Sequence, residues 1–455
     1  MERVDSSYRD PSGFVFKEDG VLYRKVNKCY VQNYSQFISS GLYDALINQN
    51  LLVAHTEIAP VAPLPEGAFK ILRPQRIPFV SYPYEWTFSQ LRDAALLTLN
   101  IQEQALQHGM CLKDATPYNV QFIGSCPIFI DTLSFEAVNE HAPWIAYGQF
   151  CRSFLAPLLL AHYSASDLLC LQQAFPEGMP LGLASSLLPL RAKCNFHNFL
   201  HIVMHGKAET RFQKKISRDN FANKFSSYKH RALVDSLKAT ISHIKNGKGR
   251  STWLNYYQET NYSAEAFNHK IEIVTHFLNV LAPDSLVDVG ANTGIFSELA
   301  PDACYTVSVD GDMQAVDIFY NELSRKKQKT LLPLHIDVRN PSPDSGWMNR
   351  ERDSLLHRSA FDTAMALALL HHLAIGANLP FEMIARFFCA IAKNLIIEFV
   401  PKEDSQIQKM LCCREDIFPK YTREIFEEVF SRYFEIKQVV PVKDSLRTLY
   451  WMTRR

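Results

Sequence analysis

The chain has 455 residues and almost no imbalance of charge: 48 Lys and Arg stand against 47 Asp and Glu, a net +1. That excludes the broadly basic surface that draws in nucleic acid or anionic membranes, and leaves only a local basic patch open. Paired metal-type cysteines are missing too. The ten cysteines are scattered, and Cys412 and Cys413 adjoin without a C-x-x-C spacing. No metal centre is expected, and reduced thiols are the default. The opening MERVDSSYRDPSG lacks the apolar core of a signal peptide. The most apolar stretch, residues 364–379, is interrupted by His371 and His372 and is short for a bilayer. Internal repeats and low-complexity tracts are absent. These absences predict a cytoplasmic protein with no membrane insertion and no nucleic-acid partner.

What is present is apolar and aromatic. Hydrophobic residues make up 47% of the chain, with 30 Phe and 19 Tyr, enough for more than one core. At roughly 100–200 residues per domain, two to four domains are expected. Residues 12–140 hold short strand-like runs (13–16, 21–26, 79–82) and one long helical pattern at 90–108, where Ala94, Leu97, Ile101 and Ala105 recur at helical spacing. Residues 146–250 read as a helical extension that ends in a basic, polar stretch. Its last part, KNGKG at 245–249, is the clearest linker signal. From residue 251 to 455 apolar runs alternate with amphipathic helices. The strands fall at 286–289, 305–309, 331–336, 363–369 and 395–400, followed by two more at 434–442 and 448–453. This alternation predicts a doubly wound, mostly parallel α/β sheet of seven strands, closed by an antiparallel hairpin. Met313, Val316, Phe319 and Leu323 mark the core face of one helix, and Arg325, Lys326 and Lys327 suit its C-terminal end.

The central motif is LVDVGANTG at 286–294. A buried strand runs into a glycine turn and is expected to open a helix through Ile295, Phe296 and Leu299, offering free N–H groups to a ligand. The dinucleotide fingerprint G-x-G-x-x-G fails, because Asn292 and Ile295 stand where its second and third glycines belong. An acid, one spacer, Gly290, three spacers and Gly294 resemble instead motif I of the class I S-adenosylmethionine-dependent methyltransferases. The resemblance covers about residues 251–455. It implies S-adenosyl-L-methionine as cofactor, with Asp288 accepting from the ammonium group directly or through water, and Gly290, Asn292 and Gly294 cradling the ligand. It also implies Asp310, 22 residues further on, accepting from the ribose diol, Asp337 facing the adenine amino group, and Leu370 in the segment LLHHL (369–373) beside the reactive methyl. Each acid alone could equally cap a strand end.

For methyl transfer, His371 and His372 are the candidate bases, since histidine titrates near neutral pH. The alternative is that one packs in the core and the other bonds to backbone. Glu398, near the end of the fifth strand, either orients an amine or hydroxyl or is a solvated edge residue. Trp253, Tyr256, Tyr257 and Tyr262 form an aromatic cluster that either covers the cofactor, with a cation–π contact to the sulfonium, or simply packs. Residues 340–359 read as an ordinary loop and helix.

Residues 1–145 carry a second constellation. LKDATPYN (112–119) follows the long helix, and PIFID (127–131) follows an apolar run. The spacing of Asp114, Asn119 and Asp131 resembles the catalytic and metal-binding loops of the protein-kinase and aminoglycoside-phosphotransferase fold, with residues 79–86 as its hinge. The departures are Leu-Lys before Asp114, Thr-Leu after Asp131, no glycine-rich phosphate loop near Gly13 and Gly20, and no evident phosphate-binding lysine beyond Lys25. The resemblance implies an α+β kinase-like domain that is not catalytic, able to present the acceptor. The alternatives are turn chemistry at these residues, an ATP-dependent phosphotransferase, or a bifunctional protein. The leading expectation is a methyltransferase acting on a small-molecule or carrier-bound acceptor. The oligomeric state is not legible.

Overall fold

The computed structural model describes residues 2–58, 67–212, 225–247, 262–412 and 415–455. Trp253, Tyr256, Tyr257 and the end of the linker motif lie outside them, as does Cys413. The chain divides into two compact units. One comprises Met1–Ile123, Pro127–Gly249 and Asp344–Arg352; the other Gly124–Cys126, Arg250–Pro343 and Asp353–Arg455. Residues 344–352, inside the segment read as an ordinary loop, thus group with the first unit. Among the described residues no helix is long and apolar enough to cross a membrane.

The first unit opens with a five-stranded antiparallel sheet: β1 (Glu2–Arg3), β2 (Gly13–Glu18), β3 (Val21–Asn27), β4 (His55–Ile58) and β5 (Ala68–Pro74), in the order β1-β2-β3-β5-β4. The long helix runs Phe88–Gln107. Thr87 caps it, in a box in which the Gln90 side chain accepts from the Thr87 N–H. Leu91, Ala94, Ile101 and Ala105 are buried along its core face. Residues 79–82, read as a strand, are not one. The Gln121 side chain takes both the N–H and the C=O of Ser81, which leaves that backbone nothing to offer a ladder. Two small pairs follow: β6 (Met110–Leu112) with β9 (Phe135–Ala137), and β7 (Val120–Ile123) with β8 (Cys126–Phe129). Among the described residues, helices then dominate to His243.

The second unit is built on seven strands: β10 (Ser285–Val289), β11 (Tyr305–Asp310), β12 (Leu331–His335), β13 (Phe361–Ala366), β14 (Ala392–Phe399), β15 (Phe434–Pro441) and β16 (Thr448–Arg454). Their order is β12-β11-β10-β13-β14-β16-β15. The first five are parallel, and β16 inserts antiparallel between β14 and β15. Strand order reverses at β10, which pairs with both β11 and β13. In such sheets a crevice opens beyond the carboxyl ends of the strands at this reversal. The helix Ala264–Leu281 packs Ile273, Val274, Phe277 and Leu278 against Leu286, Met365 and Ile396. The helix Met313–Lys326 is capped by Asp312 and buries Val316, Phe319 and Leu323.

Two local expectations fail. β13 ends at Ala366 rather than 369, because Ala368 turns into the left-handed region (φ +49°). The glycine turn does not open an α-helix. Only one 3-10 turn, Ser297–Leu299, follows it, and Ala300 is held extended before Pro301. No α-helix N-terminus therefore stands at this turn.

Candidate functional site

The glycine turn leaves β10 with Gly290 at φ +82° and Asn292 at φ +51°. The Gly290 N–H donates to the Val309 carbonyl at 2.8 Å, tying the turn to the end of β11. A Cβ on Gly290 would lie 3.3 Å from Leu369 Cδ1, so the loop after β13 closes directly over this residue. Gly294 serves a different purpose. It is also left-handed (φ +80°), and its Cβ would fall 2.1 Å from the Phe319 ring, so its bare backbone makes room for a neighbouring helix and not for a ligand.

Asp310 ends β11 with its carboxylate fixed twice. Oδ2 accepts from the Asn292 N–H and Oδ1 from the Asp312 N–H, both at 2.8 Å. Burial raises its pKa against these bonds. Each oxygen keeps a lone pair for a further donor. Asp288 is buried, and its Oδ2 accepts from Ser297 Oγ at 2.6 Å, with Ser308 Oγ donating in turn to Ser297 at 2.8 Å. Burial pushes the Asp288 carboxyl up to about 7 despite the Ser297 bond, and the Asp310 charge adds to the rise. Asp337 lies beyond β12. Its partial burial works against ionisation, but a fork from Arg339 (Nε at 2.9 Å, Nη2 at 2.7 Å) lowers its pKa. Leu370 is buried in the core; its neighbour Leu369 is the one over Gly290.

The candidate bases differ from expectation. His371 is 1% exposed, its ring 4.2 Å from that of His372. Its Nδ1 is buried with no hydrogen-bond partner. Burial first, then His372 and Arg447, hold it well below the usual imidazole range. His372 is half-buried, and burial lowers it to about 4. Neither ring titrates near neutral pH. Glu398 is not a solvated edge residue: it is fully buried, and its Oε2 takes Lys270 Nζ at 2.6 Å and the Ala368 N–H at 2.7 Å. Tyr262 Oη donates to Oε1, and Arg447 Nη1 lies 3.6 Å away. Burial opposes the charge on Glu398, but Lys270 and Arg447 overcome it and hold its pKa at about 2. Arg447 also pairs with Asp404 at 2.8 Å, and its guanidinium lies 4.5 Å from the centre of the Tyr262 ring.

Sequence reading missed Lys270, Asp404 and Arg447. Lys270 left a signal: it occupies the core stripe of its helix together with Ala266, Ile273, Val274 and Phe277, where a lysine is out of place unless paired. Through Ala368 this buried network fixes the loop that carries Leu369, His371 and His372.

In the first unit the three expected residues do come together. Asp114 bonds to the Gln149 and Asn119 side chains; burial, then the charge of Asp131, raises its pKa. Asp131 Oδ1 lies 2.6 Å from Arg24 Nη2, and Ser134 Oγ donates to Oδ2. Arg24 also meets Asp10 at 3.2 Å, and Lys113 Nζ donates to Ser12 Oγ at 2.6 Å. Arg24 is a cation that reaches Asp131; Lys25 Nζ sits 5.2 Å from the centre of the Phe14 ring. Among the described residues no group of three or more His, Cys, Asp or Glu is arranged to hold a metal ion.

No family model matches the chain. A curated relative, the nodulation protein NoeA of Rhizobium meliloti (strain 1021), is 34% identical over 460 residues, taking in 99% of this chain and 96% of that protein. Solved structures similar to the chain include methyltransferases. The bifunctional kinase-methyltransferase WbdD is 12% identical, with 44% of this chain and 41% of that one covered, at a TM-score of 0.31. The magnesium protoporphyrin IX methyltransferase ChlM of Synechocystis PCC 6803, with bound SAM, is 15% identical over 46% of this chain and 87% of that one, at 0.29. The N-methyltransferase NodS of Bradyrhizobium japonicum WM9, in complex with S-adenosyl-L-homocysteine, is 10% identical over 44% and 96%, at 0.31. At such scores these likenesses add no weight to the sheet order and the crevice.

Proposed function

The chain belongs to the family of the nodulation protein NoeA, and within that family we propose that it is an S-adenosylmethionine-dependent methyltransferase acting on a small-molecule or carrier-bound acceptor. The observation that carries this reading is Asp310. Its carboxylate is locked by the Asn292 and Asp312 N–H groups at the strand reversal, with a lone pair on each oxygen left over. That acceptor set fits a vicinal diol such as a ribose. Gly290 supports it by keeping the turn bare of a side chain beneath Leu369. S-adenosylmethionine, when bound, supplies a methyl group already activated on a sulfonium.

The chain's own residues then bind and orient. Asp288, ionised above about pH 7, accepts from an ammonium group directly or through water. Asn292 and Asp310 hold the ribose, and Asp337 reaches the adenine edge in competition with Arg339. Leu369, in place of Leu370, lines the approach to the methyl. Of the two histidines, half-buried His372 meets the acceptor. Neutral at pH 7, it accepts a hydrogen bond from a hydroxyl or amine. Glu398 becomes a positioning residue, holding Ala368 and with it the loop.

A second reading concerns the first unit. The convergence of Asp114, Asn119 and Asp131 favours a kinase-like fold. The pairing of Asp131 with Arg24, itself engaged by Asp10, favours one that does not transfer phosphate. Thermal-shift measurements with S-adenosylmethionine, S-adenosylhomocysteine and ATP–magnesium separate the two readings. Stabilisation by the first two ligands alone is expected. Stabilisation by ATP–magnesium alone would overturn the methyltransferase assignment.

A further inference from the structure

The helical part of the first unit contains a helix whose outward face is apolar. From Phe196 the chain runs through Phe196–Asn198, a π-helical stretch Phe199–Met204, and on into His205–Phe212. Its inward face carries fully buried Ile202 and, beside it, two buried polar side chains that have partners. His201 is fully buried, with Nδ1 2.8 Å from Tyr147 Oη and Nε2 2.9 Å from Ser236 Oγ, and Asn198 donates to the Ala192 carbonyl at 3.1 Å. Its outward face is apolar. Phe196 is 71% exposed, and Phe199, Leu200 and Met204 are each more than 40% exposed. At i, i+3, i+4 and i+8 they form one stripe. Leu190, 78% exposed, and Leu187 extend the apolar surface on the two short helices that pack beside it. A water-facing helix has the reverse arrangement, and clustered exposed apolar side chains mark a surface that meets something.

Charge says what it meets. Residues 191–250 hold 14 Lys and Arg against 3 Asp and Glu, leaving 34 against 44 for the rest of the chain. Arg191 and Lys207 are exposed on the same segment, and half-exposed Lys193 lies between Leu190 and Phe196. The even overall balance hides a cationic stretch of sequence that includes the apolar stripe. Two copies meeting through this face would bring like charges together. An anionic bilayer answers both features, taking aromatic and aliphatic side chains at the headgroup boundary and drawing lysines to its negative surface.

We propose that residues 187–207 attach the protein peripherally to an anionic lipid surface, the helix lying in the plane of the interface. This stands apart from the methyltransferase reading. The test is co-sedimentation of the full chain with vesicles of phosphatidylcholine alone and of phosphatidylcholine mixed with phosphatidylglycerol. Binding to the mixed vesicles only, weakened by added salt, is expected. Leu190→Ser combined with Phe196→Ser should lower the partition coefficient by about tenfold or more, and Lys193→Glu with Lys207→Glu comparably. Leu190→Ser alone, at the most exposed of these sites, guards against misfolding and should give a smaller loss of the same sign. No binding, equal binding to both vesicles, or variants that bind like the parent would overturn the proposal. So would a concentration-dependent dimer abolished by Leu190→Ser without vesicle binding, which would make a second copy the occupant.

Discussion

Lys270 Nζ stands 2.6 Å from Glu398 Oε2 with both side chains closed to solvent, joining the helix before the glycine turn to the strand that ends beside it. Removing one member of a buried pair strands the other, which typically costs about 3–5 kcal/mol. Glu398→Ala should therefore lower the unfolding free energy of the second unit, read from its urea transition, by that amount, and Lys270→Met in the same chain should recover much of it. A change in the single variant below about 1 kcal/mol would mean the pair contributes little.

Acidification should weaken cofactor binding through Asp288. Burial sets its folded pKa near 7, above the ordinary 3.8, so it loses its charge, and its use to an ammonium group, as pH falls through about 7. Titration calorimetry across that range should show affinity declining on the acid side, and Asp288→Asn should be weak and flat. Stability has the opposite sign. Because the folded pKa is raised, the protonated acid favours the fold below 3.8, and that contribution is lost as pH rises from 3.8 to about 7. Asp288→Asn should thus be no less stable than the parent at neutral pH.

The two glycines of the turn should fail differently. Gly290→Arg puts a side chain under Leu369 in a left-handed conformation costing about 1–2 kcal/mol. The protein should still fold, with S-adenosylmethionine binding abolished. Gly294→Ala drives a methyl group into Phe319, and its damage should appear first as a lowered melting temperature in the absence of ligand. Equal loss of binding and no loss of stability in both would contradict this division.

Asp310→Asn keeps the shape of the side chain and removes its charge. Hydrogen bonds to a charged group are worth about 1.5–3 kcal/mol, so cofactor affinity should fall roughly ten- to a hundredfold. Unaltered affinity would remove the main support for the site.

Residues whose role is set by local pattern were legible. Val316, Phe319 and Leu323 fall on the buried face that their spacing implied, and Asp310 ends its strand as the apolar run before it suggested. Residues whose role depends on distant partners were not. Glu398 looks like a solvent-facing acid until Lys270, 128 residues earlier, is brought against it. The histidines look titratable until burial is known. The helix expected after Gly294 was read from apolar spacing alone; a single 3-10 turn forms instead, and Ala300 leaves it extended before Pro301. Ser81 looked like part of a strand because nothing nearby showed that Gln121 would occupy its backbone.

The placement of β16 has a consequence for assembly. Residues 448–454 pair with β14 on one side and β15 on the other, and Arg447, just before them, supplies the guanidinium for Asp404. During synthesis β14 must therefore wait as an unpaired edge until the ribosome has delivered some fifty more residues. Such an edge invites pairing with other chains. A nascent protein stalled in that interval should be the form that chaperones hold longest and that proteases clear first.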